Sequence, residues 1–204
     1  MKDKRVNMNE IVFIMGKSAS GKDKIYKTLV EDFKDKFKTV TMYTTRPMRV
    51  GEKEGVEYHF VNDTKALEFE NAGRVIELRA YDTVYGLWKY FTADDGQIDL
   101  SKNERYIIIG TLEAYEKFVK FYGKEHLLPI YIEVDDDIRL MRAINREKKQ
   151  EKPNYEELCR RFLADAKDFN EENIKRAGIE VRFSNNARLE DCIKSIEDYI
   201  IKNA

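Results

Sequence analysis

The sequence predicts an α/β fold in which a parallel sheet is covered by helices on both faces. Short apolar runs alternate with longer amphipathic segments, an order that is typical of strand–helix units. Three of these runs are continuously apolar, as strands buried on both faces are; they are Ile11–Met15, residues 107–109 and residues 127–134. A glycine-rich segment directly follows the first run. These observations predict a three-layer domain built around a buried first strand.

The other elements follow from periodicity in chain order. Ile25, Leu29 and Phe33 recur at fourfold spacing and predict a helix over residues 22–36. Residues 94–96 form a turn signal, and residues 147–154 form a polar stretch suited to a flap. Further helices are predicted over residues 64–71, 112–122, 136–149, 154–176 and 189–202. Further extended segments are predicted over residues 39–43, 74–92 and 181–184, with a loop or small antiparallel excursion over 44–62.

Composition excludes several classes of protein. The chain has 38 acidic and 37 basic residues, a balance that argues against broad nucleic-acid or membrane-surface binding. No run of about 18 apolar residues is present, and the first ten residues lack the apolar core of a signal peptide. We therefore expect a cytoplasmic protein with no nucleic-acid or membrane partner, and a monomer or homodimer.

The glycine-rich segment matches the pattern G-x-x-x-x-G-K between a strand and a helix, which is the context the motif requires. Its residues are Gly16, Lys17, Ser18, Ala19, Ser20, Gly21, Lys22 and Asp23. Glycines let the backbone wrap around phosphate, and Lys22 reaches the outer phosphates. The alternative is a turn that merely ends a strand. The combination of strand, loop, lysine and helix favours binding of ATP.

Asp23 occupies a position where the motif usually has a serine or threonine that contacts Mg²⁺. A carboxylate facing polyphosphate is repulsive unless a cation intervenes. We therefore predict that Asp23 takes a metal-binding role; the alternative is a site that has lost function.

A second polar segment contains Arg46 and Arg49, three positions apart around Pro47, followed by Tyr58. Two guanidinium groups and a phenol at this spacing predict binding of one dianionic group. A solvated, charged loop is the alternative interpretation.

Residues 43–61 resemble the guanylate kinase signature TTR-x-x-R-x-G-E-x-x-G-x-x-Y-x-F-V, about thirty residues after the phosphate loop. The resemblance implies an acceptor site that includes Arg46, Arg49, Glu52, Tyr58, Glu77, Tyr85 and Thr111. Of these, Glu77 would read guanine, and Thr111 stands where the family has an aspartate. It further implies that Arg142, Arg146 and Arg161 act with Lys22 and Arg46 in catalysis, and that Asn186 lies near the adenine of ATP.

The resemblance also implies a function and an organisation. We expect an ATP-dependent nucleoside monophosphate kinase that uses Mg²⁺ and converts GMP to GDP. The alternatives are a kinase for another acceptor, such as a deoxynucleoside monophosphate, and a non-catalytic binding module. One domain spanning 1–204 would comprise a core (9–43 and 104–204), an acceptor-binding lobe (about 44–103) and a lid (about 146–156).

Departures from the family pattern cluster around the base. Met42, Leu87 and Thr111 replace the serine, the serine or threonine, and the aspartate of the family. Loss of hydrogen-bond partners at a polar edge costs roughly 1–3 kcal/mol each. We therefore expect weaker discrimination between guanine and adenine than in a typical member.

Overall fold

The structure is a computed structural model that describes residues 10–83 and 86–204, without the side chain of Thr83. Two sheets organise this part of the chain. In chain order the strands are β1 (Ile11–Met15), β2 (Lys38–Thr39), β3 (Tyr43–Thr44), β4 (His59–Phe60), β5 (Val75–Thr83), β6 (Gly86–Ala93), β7 (Tyr106–Gly110), β8 (Leu127–Glu133) and β9 (Arg182–Ser184). The helices are α1 (Lys22–Asp32), α2 (Asp63–Asn71), α3 (Leu112–Tyr122), α4 (Asp136–Glu147), α5 (Tyr155–Asp168), α6 (Glu171–Arg176) and α7 (Leu189–Asn203).

The larger sheet is parallel, with the strand order β2-β7-β1-β8-β9. In its central strand β1, Phe13 and Met15 pack on the side of α3, whereas Val12 and Ile14 pack on the side of α1 and α7. Successive side chains of a strand point to opposite faces, so a strand covered on both faces must be apolar throughout. The three-layer α/β fold is therefore confirmed, and the end of β1 leads directly into the glycine-rich loop.

The smaller sheet has the strand order β4-β3-β6-β5 and is covered by α2 on one face. Phe69 of α2 packs against Phe91 of β6 there. Because side chains alternate along a strand, Thr92, which pairs with Glu77 of β5, lies on the face away from α2. This second face, which we call the polar face, carries the polar residues discussed below.

The predicted strand over residues 39–43 was wrong as a single element. Lys38 and Thr39 pair with β7 in the parallel sheet, whereas Tyr43 and Thr44 pair with β4 and β6 in the smaller sheet. Thr41 lies between the two, and its backbone amide donates to the side chain of Gln97 at 2.8 Å. This tertiary contact turns the chain from one sheet to the other.

Two helix boundaries also differ from the prediction. The first helix ends at Asp32 rather than at residue 36, and Phe33 and Phe37 bury their rings against each other, with centroids 5.7 Å apart. The segment 154–176 forms two helices, because Asn170 accepts a hydrogen bond from the backbone of Asn173 and thereby starts a new helix. Among the described residues, no helix is long and apolar enough to cross a membrane.

Candidate active site

The loop between β1 and α1 is shaped to bind an anion. Ala19 and Gly21 have left-handed backbone conformations, with φ of 62° and 89°, which curl the chain ahead of α1. Within the described residues, the backbone amides of Ala19, Gly21 and Lys22 donate to no backbone acceptor. Unpaired amides at the positive end of a helix dipole form a ready site for phosphate.

The two charged residues at the start of α1 differ in exposure. The Lys22 Nζ lies 3.8 Å from Asp23 Oδ1, and their side chains are 23% and 74% exposed. At that distance the pair is loose, so the Lys22 ammonium is free to bind an added phosphate. Asp23 presents its carboxylate to solvent in the first turn of the helix.

Asp165 of α5 binds the glycine loop, and a buried arginine of α4 holds Asp165. The backbone amide of Ser18 donates to Asp165 Oδ2 at 2.9 Å, and Arg139 Nη1 lies 3.4 Å from the same oxygen. Arg139 also donates to Asp136 Oδ1 at 2.8 Å, which lowers the pKa of that carboxyl group. Its guanidinium carbon is 3.9 Å from the ring centroid of Phe162. Sequence reasoning missed Arg139 and Asp165, although Asp136 and Arg139 have the spacing of a helical ion pair.

Asn185 fixes the other side of the loop. Its side-chain amide donates to the Ser20 carbonyl at 2.8 Å, and a Cβ atom on Gly21 would lie 2.6 Å from the same Asn185 nitrogen. The Asn185 carbonyl accepts a hydrogen bond from Arg142 at 2.9 Å. Its neighbour Asn186 accepts one from the backbone amide of Asp135 at 2.9 Å. Arg142 and Asn186 therefore lie together at the carboxyl end of β9.

Two of the three predicted lid arginines face the glycine loop. Arg146 and Arg161 line a small recess with Ser18, closed by side chains of α4 and α5. Arg161 Nε lies 3.3 Å from Glu157 Oε1. The two ends of the polar stretch after α4 are held together, because Glu147 accepts a hydrogen bond from the backbone amide of Asn154 at 2.6 Å.

Arg46 and Glu52 form the centre of the second polar segment. Arg46 is 4% exposed and donates two hydrogen bonds to the Glu52 carboxylate, at 2.8 and 2.6 Å. The pKa of Glu52 is lowered to about 2, first by Arg46 and then by the Arg49 amide. The Arg46 guanidinium lies 5.3 Å from the Tyr58 ring centroid. Arg49 joins this group through its backbone, while its side chain is exposed.

Glu77 lies on the polar face of the smaller sheet and is 2% exposed. Its carboxylate accepts hydrogen bonds from Arg79 Nε and Nη2, at 3.0 and 3.3 Å, and from the Thr92 hydroxyl at 3.1 Å. Sequence reasoning missed Arg79, although two residues separated by one position on a strand share a face.

Other predicted acceptor residues have different surroundings. Thr111 accepts a hydrogen bond from the Ala114 amide at 3.2 Å and so caps α3. Leu87 is 48% exposed, and Tyr85 lies outside the described residues. In the described ranges, no hydrogen bond or ion pair joins the Arg46 or Glu77 group to the glycine loop. The glycine loop, which is suited to a polyphosphate, is thus separate from the Arg46 group, which is suited to an anionic group, and from Glu77, which is suited to hydrogen-bond donors.

A parallel sheet with this loop and a separate acceptor group defines the class of P-loop nucleoside monophosphate kinases. Comparison with known proteins agrees, since the chain matches the family model described as guanylate kinase over residues 8–202. The chain belongs to the guanylate kinase family.

Curated relatives support this assignment, and a solved structure shares the fold. The chain is 26% identical to guanylate kinase from Mycoplasma mobile over 204 residues, which cover 94% of this chain and 92% of that protein. It is 33% identical to guanylate kinase from Legionella pneumophila over 81 residues, which cover 39% of this chain and 38% of that protein. The crystal structure of guanylate kinase from Anaplasma phagocytophilum superposes with a TM-score of 0.64 at 18% identity, covering 96% of this chain and 86% of that one. The family resemblance stated from the sequence is confirmed.

Proposed function

We propose that the protein is an ATP-dependent guanylate kinase that converts ATP and GMP to ADP and GDP. An oxygen of the GMP phosphate attacks the γ-phosphorus of ATP, the bond from that phosphorus to the bridging oxygen breaks, and ADP leaves. Such transfer needs alignment and charge neutralisation more than covalent catalysis. The observation that carries the proposal is the glycine loop, which has unpaired amides and a loosely paired Lys22. Ser18 of the same loop lines a recess with Arg146 and Arg161.

In this proposal the glycine loop, residues 16–23, binds the donor phosphates and Lys22 follows the phosphoryl group that moves. Arg146 and Arg161 neutralise charge on that group, and closure of residues 146–156 as a lid excludes water. Arg142 of α4, which binds the Asn185 carbonyl at the carboxyl end of β9, acts with these two arginines. The neighbouring Asn186 contacts the nucleoside of ATP.

The acceptor phosphate would bind at Arg46, Arg49 and Tyr58, joined by Tyr85, with Glu52 holding Arg46 in place. Glu77 would accept hydrogen bonds from the base, and Thr111 would line the acceptor site. We further propose the domain organisation stated above, with the acceptor-binding lobe at about 44–103 between core segments 9–43 and 104–204.

Magnesium fits the donor set that the loop offers. In nucleotide sites Mg²⁺ takes one or two carboxylates and completes its coordination with water and phosphate oxygens. Asp23 supplies one exposed carboxylate in the first turn of α1, so we propose it as the protein ligand. When bound, the ion neutralises charge on the phosphates of ATP.

Asp23→Ala is expected to raise the Mg²⁺ concentration for half-maximal rate by about tenfold or more, the scale of losing a group that supports a metal. Asp23→Ser restores part of the affinity, because a hydroxyl also coordinates Mg²⁺. Magnesium titrations at fixed ATP measure the effect. Glu31→Ala, on the exposed last turn of the same helix, serves as the control. Identical titrations for Asp23→Ala and wild type would remove Asp23 from the metal site.

The function is tested by incubating the protein with ATP, Mg²⁺ and each common ribo- and deoxynucleoside monophosphate in turn. Release of ADP and formation of the diphosphate product are both measured. We expect GMP or dGMP to have the highest kcat/KM, with one diphosphate product formed for each ADP. A higher kcat/KM with another base, or ADP release without a new diphosphate, would refute the proposal.

A further inference from the structure

Arg79 and Glu77 form an ion pair on the polar face of the smaller sheet. The Nε–Nη2 edge of the guanidinium faces the carboxylate, with distances of 3.0 and 3.3 Å. The Arg79 and Glu77 side chains are 15% and 1% exposed. A carboxylate buried to this degree needs hydrogen-bond partners, and Arg79 donates two of the three hydrogen bonds that Glu77 accepts among the described residues. Each group therefore fixes the position of the other.

The far end of the guanidinium points away from Glu77. Nη2 lies 3.6 Å from the Met42 sulfur, a weak acceptor that leaves this donor available. Within residues 10–83 and 86–204, no protein acceptor lies within hydrogen-bond distance of Nη1. The Nη1–Nη2 end thus offers two parallel N–H donors to a ligand.

The acceptor side of the pair also has capacity left. Glu77 Oε1 accepts from both Arg79 and Thr92, whereas Oε2 accepts a single hydrogen bond. A carboxylate oxygen accommodates about two. A ligand that binds here therefore meets a hydrogen-bond acceptor and a two-pronged donor side by side.

Guanine has the matching pattern along one side of the ring. Its N1–H and N2–H donors lie next to the O6 and N7 acceptors, and arginine binds O6 and N7 in a bidentate manner. Adenine has a single N6 donor group between the N1 and N7 acceptors, so it cannot satisfy both partners in full.

We propose that Arg79 is a specificity-determining residue that donates to the O6 and N7 edge of the acceptor guanine while Glu77 Oε2 accepts from N1. This inference rests on the proposed function. Met42 and Leu87 lack the hydroxyl groups that the family has at these positions, and Arg79 supplies hydrogen-bond donors in their place. The expectation of weak base discrimination is thereby revised, because two groups of opposite charge read the base.

The test compares kcat/KM for GMP, AMP, 7-deaza-GMP and 6-thio-GMP in wild type and in Arg79→Met. The first analogue lacks the N7 acceptor, and the second has a poor acceptor at position 6. In wild type we expect at least one analogue to be used about tenfold less well than GMP, the scale of one arginine–guanine contact. In Arg79→Met that penalty disappears, and the preference for GMP over AMP falls by about 10- to 100-fold.

The analogues separate base reading from mere support of Glu77. If Arg79 only held the carboxylate, Arg79→Met would weaken GMP use while both analogue penalties persisted, and the inference would be overturned. Arg79→Lys keeps a charge beside Glu77 but lacks the planar fork. It therefore serves as the test variant if Arg79→Met does not fold. Analogue penalties equal to those of wild type would again overturn the inference.

Arg74→Met is the matched control, since Arg74 belongs to the same lobe but lies over the Phe69 ring on the α2 side. Its analogue penalties should equal those of wild type. Wild-type protein that fails to use GMP would refute the proposed function itself. Wild-type protein that uses GMP, with penalties unchanged in the Arg79 variants, would refute only the role of Arg79.

Discussion

Lys22→Ala is expected to lower kcat by about 10²- to 10³-fold, the usual effect of removing one group that stabilises charge in the transition state. Lys22 lies at the positive end of α1, and within the described part of the chain its ammonium makes one ion-pair contact, the loose approach to Asp23 at 3.8 Å. The free energy of unfolding should therefore change by less than about 1 kcal/mol, the scale of a weak ion pair. Steady-state kinetics and thermal unfolding measure the two effects.

Lys24→Ala provides the control, because Lys24 is an exposed lysine two positions further along the same helix. It should retain the turnover of wild type. Equal turnover in Lys22→Ala and Lys24→Ala would show that the glycine loop does not act on the transferred phosphoryl group.

The sequence predicted the parts of the fold that depend on local pattern. Continuous apolar runs identified β1, β7 and β8, because strands covered on both faces have no polar side. The segment over residues 39–43 also favours a strand, yet it is divided between two sheets by the contact of Thr41 with Gln97, 56 positions away. Local periodicity contains no information about such a contact.

The site divides in the same way. The glycine loop was recognisable because its strand, loop, lysine and helix are contiguous. The groups that hold the loop could not be recognised from the sequence, because Asp165 and Asn185 contact it from 147 and 165 positions away along the chain. Arg139 is fully buried between two charged helices whose sequence favours solvent exposure. Arg79 was overlooked for a different reason, because its role depends on Glu77 and Met42 together.

Arg46→Lys is expected to raise the KM for the acceptor by about 10- to 100-fold, since each hydrogen bond to a charged group contributes about 1.5–3 kcal/mol. Lysine keeps the positive charge beside Glu52 but loses the planar fork that binds a carboxylate or phosphate through two parallel bonds. The KM for ATP should remain close to that of wild type, because Arg46 makes no hydrogen bond to the glycine loop among the described residues. Varying each substrate at saturating concentrations of the other separates the two constants.

The matched control is Arg74→Lys, an arginine of the same lobe that donates to a backbone carbonyl rather than to a carboxylate. Glu52→Gln tests the support that holds Arg46: it removes the charge but keeps the shape, so the acceptor KM should rise by less than in Arg46→Lys. If Arg46→Lys and Arg74→Lys gave the same acceptor KM, the dianion would bind elsewhere. Glu52 would then be explained as the partner of a structural arginine, and its low pKa as the consequence of its contacts with Arg46 and the Arg49 amide rather than of a role in acceptor binding.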